Sequence, residues 1–264
     1  MASGRALHVL DGGTLTLAHQ MVVLKGGLER VTIPVPYFLV RHPDGDVLID
    51  GGMPAAVCAD PRGQLGEELF AAMAPTVSVE NHVLAQLDRI GVAPGDVRYV
   101  IQTHLHFDHV GAVGQLPDAT FLIHRRELAY AREPDWFVDA YDPRTFELPG
   151  VRWQELELVE DEQPLDLYGD GAIGVVFVPG HSPGLLATVV RLDGGAYLIA
   201  GDAADTRAHY ESRAMPGLYV DGAAVVASVR RLRELERASA ASLVILGHDP
   251  EQWPALRHGA DAYT

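Results

Sequence analysis

The sequence has almost no cysteine: Cys58 is the only one among 264 residues. A single cysteine excludes a disulfide within the chain and a metal cluster built from several thiolates. Basic residues are also scarce, because 20 lysines and arginines stand against 36 aspartates and glutamates, which gives a formal net charge of −16. A nucleic acid or an anionic membrane would need a basic patch on the protein, so we expect neither as a partner.

Long apolar runs are missing as well. No stretch reaches the roughly 18 consecutive apolar residues that span a bilayer. The opening residues MASGRALHVLDGG lack the basic segment followed by an apolar core that marks a signal peptide. We therefore expect a cytoplasmic protein. Because 48% of the residues are hydrophobic, a sizeable core can form, and we expect a single domain over residues 1–264.

The apolar runs that do occur are short and typical of strands. Residues 35–52 and 186–202 each contain two such runs joined by a turn with an Asp-Gly pair, which predicts two hairpins. Further strands are predicted over 98–103, 120–125, 173–180 and 242–249. The two hairpins share one plan, and each is followed by a helix and another strand. This similarity indicates two related half-domains in a layered α/β fold, with sheet packed on sheet and helices outside.

Two helices are predicted from apolar residues that recur with the helical period, over 79–91 and 222–237. Between the halves, residues 133–170 are rich in Pro, Asp and Glu. This composition favours an insertion or a lid over a domain boundary.

Side chains that bind metals follow the ends of four predicted strands. They are His104, His106, Asp108 and His109 in the stretch THLHFDHVG, and His181, Asp202 and His248 farther along the chain. Loops at strand ends are held by the sheet yet remain accessible, and neutral imidazoles and carboxylates suit zinc and related ions. One catalytic zinc takes three protein ligands. Five histidines and two aspartates are therefore enough for two ions with one shared carboxylate.

The stretch HLHFDH resembles the HxHxDH signature of the metallo-β-lactamase superfamily, and PGHSPG at 179–184, GD at 201–202 and GHD at 247–249 resemble its later motifs. The resemblance implies an αβ/βα four-layer sandwich, with two mixed β-sheets, outer helices and the metals at one edge. Two divalent metal ions are implied, zinc first, with cobalt, manganese or iron as alternatives. The implied ligands are His104, His106 and His181 at one ion, Asp108, His109 and His248 at the other, and Asp202 between them.

Within the superfamily, the chain is most similar to the N-acyl-homoserine lactonases that quench quorum signals. The similarity rests on VLIDGGMP, THLHFDHVG, VPGHSPG and GHDPEQW, and extends from about residue 33 to 253. It implies a hydrolase that acts on a carboxylic ester bond and takes a small-molecule lactone. A hydroxide bridging the two metals would attack the lactone carbonyl, and Asp108 would orient the water or receive its proton.

One position departs from these lactonases, which carry a tyrosine three residues after the bridging aspartate. Here GDAADT places Asp205 there, and Tyr210 lies five residues farther on. An ionised carboxylate cannot donate a hydrogen bond to a developing oxyanion as a phenol can. We expect Asp205 to act in catalysis as a proton shuttle if its pKa is raised near the metals, with Tyr210 as a candidate replacement at the substrate.

Further candidates surround the predicted metal site. Phe107 lies between two ligands, so we expect it to contact substrate together with Met21. Asp50 ends a predicted hairpin and is expected to hydrogen-bond a ligand histidine. Weaker candidates for an acyl pocket are Trp136, Phe137 and Tyr141.

Alternative functions remain open at this point. The same fold serves thioesterases of the glyoxalase II kind, β-lactamases and phosphoesterases, and a homologue that binds metal without turnover is also conceivable. The missing export signal argues against a β-lactamase, the acidic charge against a nuclease, and the lysine-poor C-terminal region against glyoxalase II. The oligomeric state is expected to be a monomer or a homodimer.

Overall fold

Two mixed β-sheets form the framework in a computed structural model, which describes residues 4–134 and 140–264. The first sheet has six strands, in the spatial order in which they occur along the chain. They are β1 (Ala6–Ala18), β2 (Arg30–Arg41), β3 (Asp46–Ile49), β4 (Val97–Ile101), β5 (Thr120–His124) and β6 (Arg152–Leu156). β1, β2 and β3 pair antiparallel, whereas β3, β4, β5 and β6 pair parallel.

The second sheet has five strands, in the order β11, β10, β9, β8, β7. Their bounds are β7 (Leu165–Asp166), β8 (Ile173–Phe177), β9 (Leu186–Leu192), β10 (Gly195–Gly201) and β11 (Ala241–Leu246). β7 to β10 pair antiparallel, and β10 and β11 pair parallel. β8 and β10 therefore point the same way, because each lies antiparallel to β9.

Helices cover the outer faces of the sheets and fill the connections. They are α1 (His19–Val22), α2 (Ala55–Ala59), α3 (Pro61–Met73), α4 (Val83–Arg89), α5 (Arg125–Arg132), α6 (Pro143–Phe146), α7 (Arg207–Tyr210) and α8 (Gly222–Ser239). Short 3-10 helices span Val79–Asn81, Pro94–Asp96 and Trp253–Ala255. No helix in the described ranges is long and apolar enough to cross a membrane.

The core has layers because the strands alternate their side chains. On β2, Phe38 and Val40 pack into the cluster between the two sheets, while Tyr37 and Leu39 face the opposite side, where α4 packs. On α8, Leu232 and Leu235 pack on the outer face of the second sheet. The order of layers is thus helix, sheet, sheet, helix, which confirms the predicted four-layer α/β sandwich with two mixed sheets.

The predicted internal similarity is visible in the topology. The hairpin β2–β3 is followed by a helix and the parallel strand β4, and the hairpin β9–β10 is followed by α8 and the parallel strand β11. Each sheet therefore contains the same unit of a hairpin and a returning parallel strand.

Two sequence predictions differ from the structure. The helix predicted over 79–91 is a 3-10 turn followed by α4, because His82 between them has an extended backbone. Val79, the first apolar residue of the predicted helix, is 59% exposed. The segment 133–170, predicted as an insertion or lid, contributes the edge strands β6 and β7 to the two sheets. At β6 and β7 the segment is therefore part of the framework, because each strand forms one edge of a sheet.

Candidate metal centre

The carboxyl ends of five strands meet at one edge of the sandwich. Asp50 follows β3, residues 104–109 follow β4, and His181 follows β8 after a short loop. Asp202 follows β10, and His248 follows β11. Because β3 and β4 are parallel, and β8, β10 and β11 share one direction, these loops converge although they are far apart in the sequence.

The structure brings the seven predicted ligands together as two groups of three, with Asp202 as the seventh. In the first, the histidine group, ligand atoms of His104, His106 and His181 lie within 4.8 Å of one another. His181 Nε2 is 3.1 Å from His106 Nδ1. In the second, the mixed group, ligand atoms of Asp108, His109 and His248 satisfy the same limit. All six side chains are buried.

Asp202 lies between the two groups. Its Oδ2 is 3.4 Å from His181 Nε2 and 3.7 Å from His104 Nε2 in the histidine group. The same carboxylate reaches the mixed group, with 3.3 Å from Oδ2 to His248 Nε2 and 3.6 Å from Oδ1 to His109 Nε2. One carboxylate is thus within reach of imidazoles from both groups, which is the position that a bridging ligand requires.

Hydrogen bonds at the opposite ring nitrogens set the tautomers of four histidines. His248 Nδ1 donates to Pro34 O at 2.7 Å, and His181 Nδ1 donates to Leu218 O at 3.3 Å. His109 Nδ1 donates to Asp50 at 2.9 Å. The Thr103 hydroxyl donates to Asp50, so it accepts from His104 Nδ1 at 3.0 Å. In the neutral rings, each Nε2 therefore presents its lone pair to the cluster.

Asp50 organises the loop after β4. Its Oδ1 accepts the backbone N–H of Thr103 at 2.8 Å and the amide of Gln102 at 3.2 Å. Its Oδ2 accepts from the Thr103 hydroxyl and from His109 Nδ1. The Asp50 backbone is in the left-handed region, with φ of 60°. The side chain thus holds a ligand histidine at the place where the sequence suggested that it would.

Glu127 performs a similar task for the histidine group and was missed in the sequence. Its buried carboxylate accepts the Leu105 N–H at 3.1 Å, between His104 and His106. It also accepts the Ser182 hydroxyl at 2.6 Å and the Gly184 N–H at 3.0 Å, in the loop of His181. A Cβ at Gly184 would lie 2.3 Å from Glu127. In the sequence Glu127 is an ordinary glutamate in the first turn of a helix, so no local signal marks it.

The histidine group is electrically suited to neutral ligands. Burial, reinforced by neighbouring histidines, holds the pKa of His104 and His106 well below the ordinary value. Burial also lowers the pKa of His181, although Asp202 opposes it. These three rings are therefore neutral at pH 7, which leaves their lone pairs available to a cation.

The mixed group has the opposite character. Burial alone would lower the pKa of His109, but Asp202, Asp108 and Asp50 raise it to about 9. Burial alone would also lower the pKa of His248, but Asp202 and Asp108 raise it to about 10. Burial would raise the pKa of Asp202, but the facing histidines hold it well below its usual range. The carboxylates of this region thus attract positive charge, which protons or a metal cation can supply.

The donor atoms fit a metal. Among the described residues, His104 Nε2, His109 Nε2 and Asp202 Oδ1 are buried and have no hydrogen-bond partner. A buried polar atom without a partner costs roughly 1–3 kcal/mol. All three point into the cluster, where a divalent cation would satisfy them together.

A cavity opens above the cluster, and several predicted residues line it. Asp108 and Asp205, the two predicted catalytic carboxylates, lie on its wall with Met21 and Phe107, the predicted substrate contacts. Asp205 is 8% exposed. Burial, reinforced by the neighbouring Asp202, raises its pKa to about 8.

Tyr210 is not part of this cavity, which corrects its prediction as a substrate contact. Its hydroxyl donates to Glu236 of α8 at 2.7 Å, and its ring packs with the apolar cluster under that helix. The residue belongs to α7, whose packing turns it away from the metal-binding edge. Tyr141 instead stacks edge-on with the His106 ring at 4.7 Å between centroids. Trp136 and Phe137 lie outside the described residues.

Comparison with known proteins identifies the family. The family model "Metallo-beta-lactamase superfamily" matches residues 31–248. The chain is 40% identical to the N-acyl homoserine lactonase AttM of Azorhizobium caulinodans, over 97% of this chain and 98% of the relative. It is 25% identical to an N-acyl homoserine lactonase of Bacillus thuringiensis, over 96% of both chains.

Solved structures show the same fold. An N-acyl homoserine lactone hydrolase with N-hexanoyl-L-homoserine at its catalytic metal centre matches with a TM-score of 0.85 and 24% identity, over 100% of both chains. The dizinc quorum-quenching lactonase AidC matches with a TM-score of 0.68 and 16% identity, over 98% of this chain and 91% of that one. The chain belongs to the metallo-β-lactamase superfamily and, within it, to the family of N-acyl homoserine lactonases.

Proposed function

We propose that this protein is a two-metal hydrolase that opens the ester ring of N-acyl homoserine lactones. The observation that carries the proposal is the placement of Asp202, whose carboxylate lies within 3.7 Å of imidazoles from both ligand groups. Two ligand sets that share a carboxylate hold two ions close together. The AttM lactonase, 40% identical over nearly the whole chain, supports the choice of substrate.

The proposed ligands divide as the two groups do. His104, His106 and His181 would hold one ion, Asp108, His109 and His248 the other, and Asp202 would contact both. Zinc suits this set of imidazoles and carboxylates, with cobalt, manganese and iron as alternatives. When bound, two such ions lower the pKa of a water toward neutrality and polarise an ester carbonyl.

The chain's own residues supply the positioning and the proton transfer. The Asp108 carboxylate lines the cavity, where it can orient a water molecule and accept its proton. Phe107 and Met21, with Leu15, Leu17 and Ile33, make the walls apolar. Apolar walls exclude bulk water and strengthen the electrostatic interactions inside. A proton-transfer role for Asp205 stays a prediction.

A second, larger cavity supports a substrate with an apolar tail. Phe107 borders both cavities, and beyond it lie Leu65, Leu69, Val110 and Leu148. Such a surface suits a hydrocarbon chain, because each buried methylene contributes about 0.8 kcal/mol to binding. A lactone ring over the metal centre with its acyl chain past Phe107 would use both cavities.

The test is hydrolysis by protein reloaded with two equivalents of zinc or cobalt. Proton release would be followed on N-acyl homoserine lactones of short and long chain, on simple γ- and δ-lactones, and on a thioester and a phosphodiester. The matched controls are the metal-free protein and the same protein after reloading. We expect turnover of the acyl homoserine lactones only when metal is present.

Other outcomes would replace the proposal. Turnover of simple lactones alone would keep the mechanism and change the substrate. Turnover of the thioester or phosphodiester alone would assign one of the alternative hydrolase functions. No turnover of any ester by fully loaded protein would indicate a metal-binding homologue without this activity. Cytoplasmic location, the lack of nucleic-acid and membrane partners, and a monomeric or homodimeric state stay predictions from the sequence.

A further inference from the structure

We propose that Asp205 is an additional metal ligand. With Asp202 and His248 it would bind the second cation, which is the one held by the mixed group, and would make its coordination rich in carboxylate. Ligand atoms of these three residues lie within 4.8 Å of one another. The inference rests on the proposed two-metal function, because it assigns one more residue to the same centre. It concerns the residue three positions after Asp202 in the loop that follows β10.

The Asp205 carboxylate is built into the protein interior without a full set of partners. The side chain is 8% exposed, and its Oδ1 is buried with no hydrogen-bond partner among the residues that the structure describes. A buried carboxylate oxygen in this state is costly unless a cation or a proton satisfies it. The cavity toward which Asp205 lies also contains Asp202 and His248.

The backbone holds Asp205 in register with the second cation's ligands. The Asp205 carbonyl accepts the N–H of His248 at 2.9 Å, and the Ala204 carbonyl accepts the N–H of Gly247 at 3.2 Å. The loops after β10 and β11 are therefore joined by hydrogen bonds at the residue in question. A fixed backbone lets a short aspartate side chain act as a ligand with little loss of conformational freedom.

Asp205 has charged neighbours of both signs, because His248 and His109 lie near it together with the carboxylates of Asp202 and Asp108. Its ion-pair contact is His209, with 3.6 Å from Nδ1 to Asp205 Oδ2. Asp202 and Asp108 add negative charge nearby. Asp202 and Asp205, whose ligand atoms lie within 4.8 Å of each other, are stable together when a divalent cation is bound between them.

The decisive experiment is a metal titration of Asp205→Asn, which keeps the shape and removes the charge. Metal-free protein would be titrated with Zn²⁺ and with Mn²⁺ against a chromophoric chelator, and Co²⁺-loaded protein would be examined by electronic absorption. The matched control is Asp46→Asn, which removes another buried carboxylate. Asp46 begins β3, at the end of that strand away from the metal-binding edge. Melting curves would confirm that both variants fold.

We expect Asp205→Asn to bind the first cation as before and the second at least about 10- to 100-fold more weakly, since even loss of a residue that only supports a ligand has that effect. The loss should be larger for Mn²⁺ than for Zn²⁺, because manganese prefers oxygen ligands. The Co²⁺ spectrum should lose intensity or shift in the component of the second ion. Asp46→Asn should show none of these changes.

A proton-transfer group gives a different result. If Asp205 only carries protons, Asp205→Asn will slow turnover while the second-cation affinity and the Co²⁺ spectrum stay unchanged, and the inference is overturned. Asp205→Tyr, which replaces the carboxylate by a phenol, should also lose the carboxylate contribution to metal binding. The cation affinities and the Co²⁺ spectrum decide the inference without a substrate, so absence of lactone hydrolysis by the parent protein would overturn the proposed function alone.

Discussion

The two ligand groups at the metal-binding edge differ in charge although they share Asp202. The histidine group consists of three imidazoles whose pKa values are lowered by burial and by one another. In the mixed group, carboxylates raise the pKa of His109 and His248 above neutrality. One edge of the fold therefore holds two ligand groups of different charge, because burial and neighbouring imidazoles dominate in the first and carboxylates dominate in the second.

The residues that hold the two groups in place also differ. Glu127 ties the loops of His104, His106 and His181 together without touching the mixed group. Asp50 binds His109 directly and the Thr103 hydroxyl beside His104. The histidine group is thus held through backbone N–H groups, and the mixed group partly through a ligand ring. Variants of Glu127 and Asp50 should therefore change cation binding by the two groups to different extents.

The largest effect is expected from Asp202→Asn, which removes the carboxylate that the two ligand groups share. Both groups lose a negative ligand, so both cations should bind more weakly. Losing the metal contribution of several kcal/mol to the transition state would reduce kcat/KM by about a thousandfold or more. Metal content and turnover measured on the same samples check this. Retention of two tightly bound ions would show that Asp202 does not contact both.

Glu127→Gln should weaken the histidine group selectively. The amide loses acceptors for buried N–H and O–H donors, so we expect a stability loss of about 1–3 kcal/mol. Affinity for the cation of the histidine group should fall about 10- to 100-fold, as for other residues that support ligands. Thermal melts and two-step metal titrations check both numbers.

The control for Glu127 is Glu147→Gln, which removes an exposed glutamate paired with Arg132. It should change neither cation affinity. Equal weakening of both cations by Glu127→Gln would contradict a selective support of the histidine group.

Cation binding should depend on pH at the mixed group more than at the histidine group. Without metal, His109 and His248 carry protons at pH 7, because their pKa values are about 9 and about 10. A cation must displace these protons, so its affinity should rise with pH between about 7 and about 9, by up to about tenfold per pH unit for each proton released. His104 and His106 are already neutral, so the other affinity should stay flat.

Isothermal titration in buffers of different ionisation enthalpy would count the protons released in each of the two binding steps. Proton release confined to one step agrees with the difference between the groups. The same release in both steps would show that the surroundings of the histidines do not separate them.

The smallest effect is expected from Tyr210→Phe, which tests whether Tyr210 lies outside the site. The change removes the hydrogen bond to Glu236 and should cost about 0.5–1.5 kcal/mol of stability. Turnover and both cation affinities should stay at the parent values, because the ring lies outside the cavity. A clear fall in kcat with unchanged stability would restore Tyr210 as a substrate contact.

Much of the fold was predictable because its signals are local. Apolar runs of strand length, Asp-Gly turns and the helical period of residues 222–237 each depend on neighbours in sequence, and the strands and α8 formed where these signals occur. The helix over 79–91 was wrong at its start because the extended backbone of His82 separates a 3-10 turn from α4. The sequence does not predict the edge strands β6 and β7, because few of their side chains are buried and no apolar pattern marks them.

The sequence alone determined which residues carry metal chemistry and that they follow strand ends, since residue type and position are written in it. It also determined the negative charge and the lack of thiolate ligands. Only the tertiary structure decided that Asp202 lies between the groups, that Glu127 supports one of them, and that Asp205 rather than Tyr210 faces the cavity. The reason is physical: these relations join loops from two different sheets, and the direction of each side chain depends on how the sheets and helices pack.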